Sequence, residues 1–276
     1  MRRNILHIST LLYGGPGVGK TSLGVSSFWN YMKGEPVPGK NGRLLLIGRE
    51  ENDALGIPEE NIVRFPLPQN NPIKFAKDFE TYLKALNSPK GQEAGVTDIV
   101  IDGFTELCYD FTYAYRESND PRDQFEVYRE WQRAFINFMQ LIHPKSLNAN
   151  VIGTARVAEL RRGNTTGRGS TVKGDPEWMD EFKYYPSMEG WARHNMGHYF
   201  NMVVYLEQDV KTRMVGGKAI KTPTHVSHWL GGGDYWTKNI FSHLWLDQPP
   251  TMDNAMWTDV EEVINTIVGN KYIEVE

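Results

Sequence analysis

The sequence predicts an α/β protein in which a mostly parallel central sheet is covered by helices and is followed by mostly antiparallel strands toward the C-terminus. Three observations carry that prediction. Short apolar runs alternate with amphipathic stretches as far as Arg156. A glycine-rich run, "GGPGVG", separates the first apolar run from the first helical stretch. From Met202 onward the texture changes to strand-like runs joined by turns such as "VGGK" and "LGGGD". Strands separated by helices need crossover connections, which place parallel neighbours side by side with helices on both faces.

Taken in order, "HISTLLYG" reads as a buried strand and "KTSLGVSSFWNYMK" as a helix. "GRLLLIG" is a second strand, and "NPIKFAKDFETYLKAL" has apolar residues three and four apart, the spacing of an amphipathic helix. "VTDIVIDGF" is a short apolar strand. In "YREWQRAFINFMQLIH", Trp131, Phe135, Phe138, Met139 and Ile142 share helical spacing, and the strand "NANVIGTAR" follows. "MVVYLEQDV", "KAIKTPTHVSHWL" and "YWTKNIFSHLWL" read as strands. The expected organisation is one domain over 1–276, with an α/β core at 1–200, a β extension at 201–250 and a helix or tail at 251–276.

Composition bounds the function. The chain has 276 residues, 40% hydrophobic and 23% charged, an ordinary globular balance. Nowhere do about 18 apolar residues follow one another, so neither secretion nor membrane spanning is expected. Cys108 is the single cysteine, which excludes an intrachain disulfide and a multi-cysteine metal site and fits a reducing cytoplasm. The net charge of -4 excludes a protein that coats nucleic acid with its whole surface but leaves room for a local basic patch.

The glycine-rich run carries the chemistry. Gly14, Gly19, Lys20 and Thr21 satisfy G-x-x-x-x-G-K-S/T between a strand and a helix, the context a phosphate loop requires. Such a loop wraps backbone N–H groups around an anion, and side chains would block the approach. Gly14, Gly15, Pro16, Gly17, Val18, Gly19, Lys20, Thr21 and Ser22 therefore form the candidate cradle for a nucleotide. Lys20 would reach the β- and γ-phosphates, and the Thr21 hydroxyl would ligate Mg²⁺. A second Mg²⁺ ligand is expected at a strand end, and "TDIVIDGF" supplies Asp102 after Ile99, Val100 and Ile101; a helix-capping aspartate is the alternative. For activating water, "LLLIGREEN" ends a strand with adjacent carboxylates, making Glu50 the candidate and Glu51 its substitute, against the alternative of a solvated acidic turn. No N-K-x-D motif is present, which favours ATP.

This order of motifs, "GGPGVGKT", a carboxylate after the next strand, "IVIDG", a helix containing Trp131 and then "NVIGTAR", resembles the RecA-core P-loop ATPases. It is most similar to the short phage proteins associated with Sak-type single-strand annealing and recombination. The resemblance spans roughly Ile5 to Leu246 and implies a RecA-like core using ATP and Mg²⁺. It places Glu50 at the water-activating position, Thr154 and Arg156 at the polar sensor at the end of the strand "VIGTAR", and Lys238 at a position that contacts nucleotide across a subunit interface. The chain departs from RecA in lacking a glutamine at the sensor and the second of two lysines near Lys238. The partners implied are single-stranded DNA and further copies of the chain in a ring or filament, with a single-strand-binding protein as another candidate. The setting implied is the cytoplasm of a bacterial host.

After that strand, Arg156, Arg161, Arg162, Arg168 and Lys173 face a single acid, Glu159, within a stretch rich in Gly, Ser and Thr. Guanidinium groups on flexible backbone suit the phosphates of a single strand, and Arg161, Arg162, Arg168 and Lys173 are the candidate DNA contacts. A surface loop with incidental charge is the alternative. His194 and His198 lack a third ligand and read as structural; Trp229, Trp236, Trp245 and Trp257 read as packing residues rather than base-stacking ones. Two other functions fit the same motifs: phosphoryl transfer to a small molecule, and a nucleotide-gated assembly module with little turnover.

Overall fold

The computed structural model describes residues 7–48, 55–65, 72–109, 124–159, 183–188, 190–215, 218–231, 234–245 and 248–273. Its strands are β1 (Ser9–Gly14), β2 (Trp29–Asn30), β3 (Glu35–Pro36), β4 (Gly42–Ile47), β5 (Ile62–Phe65) and β6 (Asp98–Asp102). These are followed by β7 (Asn150–Glu159), β8 (Tyr184–Pro186), β9 (Met202–Val215), β10 (Lys218–His228), β11 (Lys238–Asn239) and β12 (Thr251–Asp253). The helices are α1 (Lys20–Val25), α2 (Pro72–Asn87), α3 (Pro89–Glu93), α4 (Gln124–Leu141), α5 (Pro144–Leu147), α6 (Gly190–Tyr199) and α7 (Trp257–Ile273), with a further helical segment at 104–109.

The main sheet runs β12-β10-β9-β1-β7-β6-β4-β5, with β11 on β9 and β8 on β7. From β9 to β5 every pairing along this path is parallel; β8, β10, β11 and β12 pair antiparallel. All of β1 and β6 is buried, as a parallel sheet covered on both faces requires. Alternation sorts the side chains. Leu11, Tyr13, Leu45, Ile99, Ile101 and Val151 face a core with Phe79 of α2, Phe135 and Phe138 of α4 and Met196 of α6. Leu12, Leu44, Leu46, Val100, Ile152 and Val204 face the other, with Leu23 of α1 and Trp257, Val260 and Ile264 of α7. In α2 the apolar stripe is Phe75, Phe79 and Leu83, while Lys74 and Asp78 pair along the outer face.

Several elements differ from the sequence reading. The helix expected over 20–33 stops at Val25, and a small hairpin of β2 and β3 follows. Ser26 turns its hydroxyl to the Leu23 carbonyl and receives the Trp257 N–H, so it terminates the helix and binds α7 at once. The strand β5 escaped notice because its four residues are too short for periodicity to register. "YWTKNIFSHLWL" contains only the two-residue β11 before a 3₁₀ turn at Ser242–Leu244. The β extension begins inside the core: β9 pairs parallel with β1 from Met202 to Leu206 and only beyond that continues with β10 as a ribbon. Trp229, Trp245 and Trp257 have no exposed surface, in keeping with packing, and the first two stack at 6.2 Å between ring centroids.

At the opposite end of the sheet from the phosphate loop, Asp98 is fully buried at the start of β6. It accepts from Asn150 Nδ2 at 2.9 Å and Thr97 Oγ1 at 2.6 Å, and Lys40 lies 3.6 Å away while also pairing with Glu261 of α7. Removing the cation leaves a buried carboxylate under-compensated. Lys40→Met should therefore lower stability by about 3 kcal/mol in urea unfolding, with a smaller loss when Glu261→Gln is added.

Candidate nucleotide-phosphate site

At the C-terminal end of β1 the chain turns out of the sheet between two neighbours. Gly14 lies opposite Arg156 of β7 on one side and Leu206 of β9 on the other. A Cβ on Gly14 would stand 2.2 Å from the Leu206 carbonyl oxygen, so only glycine fits. The loop then passes through Gly17 and Gly19, with φ of 73° and 87°, the left-handed region that other residues rarely adopt. Between them Val18 is buried against the α1 side of the sheet and anchors the loop, while Pro16 and Gly17 are exposed. The glycines thereby set the path of the loop, and the buried Val18 side chain pins it to the core.

Lys20 opens α1, and its ammonium donates to the carbonyl oxygens of Gly14 at 3.1 Å and Gly15 at 2.6 Å. The charge is thus held over the loop mouth. One residue on, Thr21 Oγ1 is 3.1 Å and 3.0 Å from the two carboxylate oxygens of Asp102. Asp102 is not on the strand next to β1, because β7 lies between them. Thr154 of β7 fills the gap. Its hydroxyl donates to Asp102 Oδ1 and accepts from the Gly103 N–H at 3.1 Å, which fixes the carboxylate's orientation. Asp102 and Thr154 are buried, so these bonds operate away from competing water. A hydroxyl and a carboxylate converging on a phosphate loop are hard oxygen ligands of the type Mg²⁺ takes, and Thr21 and Asp102 fit that role.

Arg156, two residues past Thr154, is largely exposed and ion-paired with Glu106 of the helical segment after β6. Its backbone N–H donates to Thr105 Oγ1 at 2.9 Å. Ser22 lies on α1 beside the loop. Lys238 does not join this cluster. Its ammonium donates to the carbonyls of Gly197 and Phe200, both at 2.7 Å, closing the C-terminal end of α6, and burial holds its pKa below the usual lysine value. Within the chain its charge therefore serves a helix end rather than the loop. Glu50 and Glu51 lie outside the described residues, as do Arg161, Arg162, Arg168 and Lys173; the chain leaves β7 at Glu159 and re-enters opposite it at Tyr184 of β8.

Glu106 and Thr105 escaped the sequence reading, although both follow Asp102 closely enough to have been placed on the adjoining helical turn. His225 of β10 also escaped it. Its ring lies 3.4 Å from where a Gly19 side chain would begin, and nothing in the local pattern "TPTHVSH" marks it.

A parallel sheet with a phosphate loop after β1, an aspartate at the end of β6 and a polar residue on the intervening β7 defines a P-loop ATPase core. The AAA domain family model matches residues 7–232, most of the chain, and the protein belongs to that family. A search of curated proteins returns no significant match.

If Thr154 orients Asp102, then Thr154→Val, which keeps the shape and removes the hydroxyl, should weaken Mg²⁺-dependent nucleotide affinity about tenfold. Affinity measured in EDTA should be nearly unchanged. Titration of a fluorescent nucleotide with and without Mg²⁺ reads both quantities.

Proposed function

We propose that this AAA-domain protein is a Mg²⁺-dependent ATPase that binds single-stranded DNA and works as a homo-oligomer in phage-type recombination or annealing. The observation that carries the reading is the path of β7. The strand that brings Thr154 to Asp102 continues through Arg156 to Glu159, where the basic segment containing Arg161, Arg162, Arg168 and Lys173 begins. A contact made by that segment is therefore covalently close to the site that senses nucleotide. Few residues separate the two.

In this reading the loop amides and Lys20 hold the triphosphate, and Thr21 and Asp102 hold Mg²⁺, which neutralises charge on the phosphates when bound. Glu50, with Glu51 as substitute, takes the proton of the attacking water. Thr154 holds the Asp102 carboxylate in place throughout. Arg156, whose own side chain is exposed, would have to leave the largely covered carboxylate of Glu106 to follow the charge on the phosphates. No helix among the described residues is long and apolar enough to cross a membrane.

Lys20→Ala should abolish nucleotide binding without unfolding the chain, because the loop carries little of the core. Glu50→Gln should retain ATP and Mg²⁺ and lose turnover, since the amide keeps the shape but not the base. Loss with Glu51→Gln instead would move the catalytic carboxylate by one residue.

The DNA part is tested by replacing Arg161, Arg162 and Arg168 together with alanine. Each phosphate contact on a single strand contributes about 0.7 to the slope of log affinity against log salt, so the slope should flatten by about two units. ATP binding without DNA should be unaffected, and stimulation of hydrolysis by DNA should vanish. Unchanged affinity and slope would remove this segment from the DNA site, and a wild-type protein indifferent to DNA would favour a small-molecule phosphotransferase.

A further inference from the structure

Beyond Leu206, where it parts from β1, β9 continues with β10 as a two-stranded ribbon. Among the described residues no third strand pairs with this ribbon before β12 reaches Val226. We infer that the ribbon is a second nucleic-acid contact, one that lies along the phosphate backbone of a duplex. The inference rests on the reading of the chain as a DNA-binding ATPase.

Position is the first argument. β9 runs parallel to β1, and so does β7. The ribbon therefore leaves the sheet at the edge where β1 enters the phosphate loop and where β7 leads to the basic segment. From Glu207 to Val215, at about 3.4 Å per residue, it extends roughly 30 Å. Gln208, Asp209, Val210, Lys211, Thr212 and Met214 are exposed along β9, as is all of β10 from Lys218 to Pro223. None of these residues belongs to either core.

Charge is the second argument. The chain carries a net charge of -4, yet from Val210 to Thr224 it has Lys211, Arg213, Lys218 and Lys221 and no acidic residue. Lys211 pairs with Asp253 of β12, while Lys218 and Lys221 have no carboxylate partner among the described residues. Register sorts the four cations. Lys211, Arg213 and Lys218 share one face with Thr222, and Lys221 stands on the other with Val210, Met214 and Pro223. Residues on one face of a strand recur about every 7 Å, which matches the rise over two successive phosphates of a DNA strand.

The third argument separates a duplex from a single strand. No Phe, Tyr or Trp occurs between Glu207 and Thr224. Proteins that hold single strands stack bases on aromatic rings, and this ribbon has none to offer. A duplex keeps its bases stacked internally and presents its phosphates, and its major groove admits a two-stranded β-ribbon. Lysines and a proline also guard a strand edge against pairing with another chain, but edge protection requires neither a basic face nor an arm of this reach.

The test measures binding of a labelled single strand, and of the blunt duplex of the same sequence, across a salt series. It compares wild type with a ribbon variant, Arg213→Ala with Lys218→Ala and Lys221→Ala, and with the variant replacing Arg161, Arg162 and Arg168 by alanine. Each phosphate contact on a duplex contributes about 0.9 to the slope of log affinity against log salt. The ribbon variant should flatten the duplex slope by about two to three units and the single-strand slope by less than about one. Its ATP affinity should equal that of wild type, since its positions are exposed or outside the phosphate loop. The variant at 161, 162 and 168 should show the reverse preference between the two ligands. An unchanged duplex slope in the ribbon variant, an equal loss on both ligands, or a wild type that binds the single strand and ignores the duplex overturns the inference and leaves the single-strand reading standing. A wild type that binds neither ligand overturns both.

Discussion

The site depends on keeping one buried carboxylate correctly oriented. Asp102 sits at the end of an apolar strand with almost no access to water, and an unpartnered charge there would be costly. Its partners come from two directions, the Thr21 hydroxyl from α1 and the Thr154 hydroxyl from β7. That arrangement requires β7 to lie between β1 and β6, so strand order and site geometry are the same fact seen at two scales. Were β6 adjacent to β1, Asp102 could meet the loop, but no strand would carry a polar group between them.

The sheet's two cores hold this geometry from opposite sides. One is dominated by phenylalanines of α2 and α4. The other joins α1 to α7 through Ser26, whose side chain accepts the Trp257 N–H while its own hydroxyl donates to the Leu23 carbonyl. Because α1 begins with Lys20 and Thr21, the packing of α7 indirectly fixes where the site's lysine and threonine start. Lys40 repeats the connection at the far end of the sheet, pairing Glu261 of α7 with the neighbourhood of Asp98. The C-terminal helix is thus a clamp on the face that carries the phosphate loop.

Most of this was legible in the sequence where a local rule sufficed. The glycines of the phosphate loop announce a backbone conformation that other residues resist, and Ile99, Val100 and Ile101 before Asp102 announce a buried strand. Thr154 was identified through resemblance and not by any pattern of its own, because a threonine at the end of a strand has many ordinary reasons to be there. The early end of α1 was not legible, since Ser26 terminates the helix through a partner 231 residues away. A cleft beside His225 was hidden for the same reason. It is assembled from α1, a hairpin, β10 and the turn at Asn254, and only the first of these carries a motif.

The charges at the loop mouth are satisfied internally, and this bears on how the site exchanges ligands. Lys20 donates to the Gly14 and Gly15 carbonyls, which are neutral acceptors, and the exposed Arg156 pairs with the largely covered carboxylate of Glu106. A phosphate offers Lys20 a charged acceptor, and charge-assisted bonds are roughly twice as strong as neutral ones. In the proposed reading the ammonium exchanges the Gly14 and Gly15 carbonyls for a phosphate and returns to them when it leaves. Asp102 has no such freedom, being tied to Thr21 and Thr154 within the buried end of the sheet. The site combines a carboxylate fixed by the strands with a lysine held by the loop, so its two opposite charges are positioned by different parts of the fold.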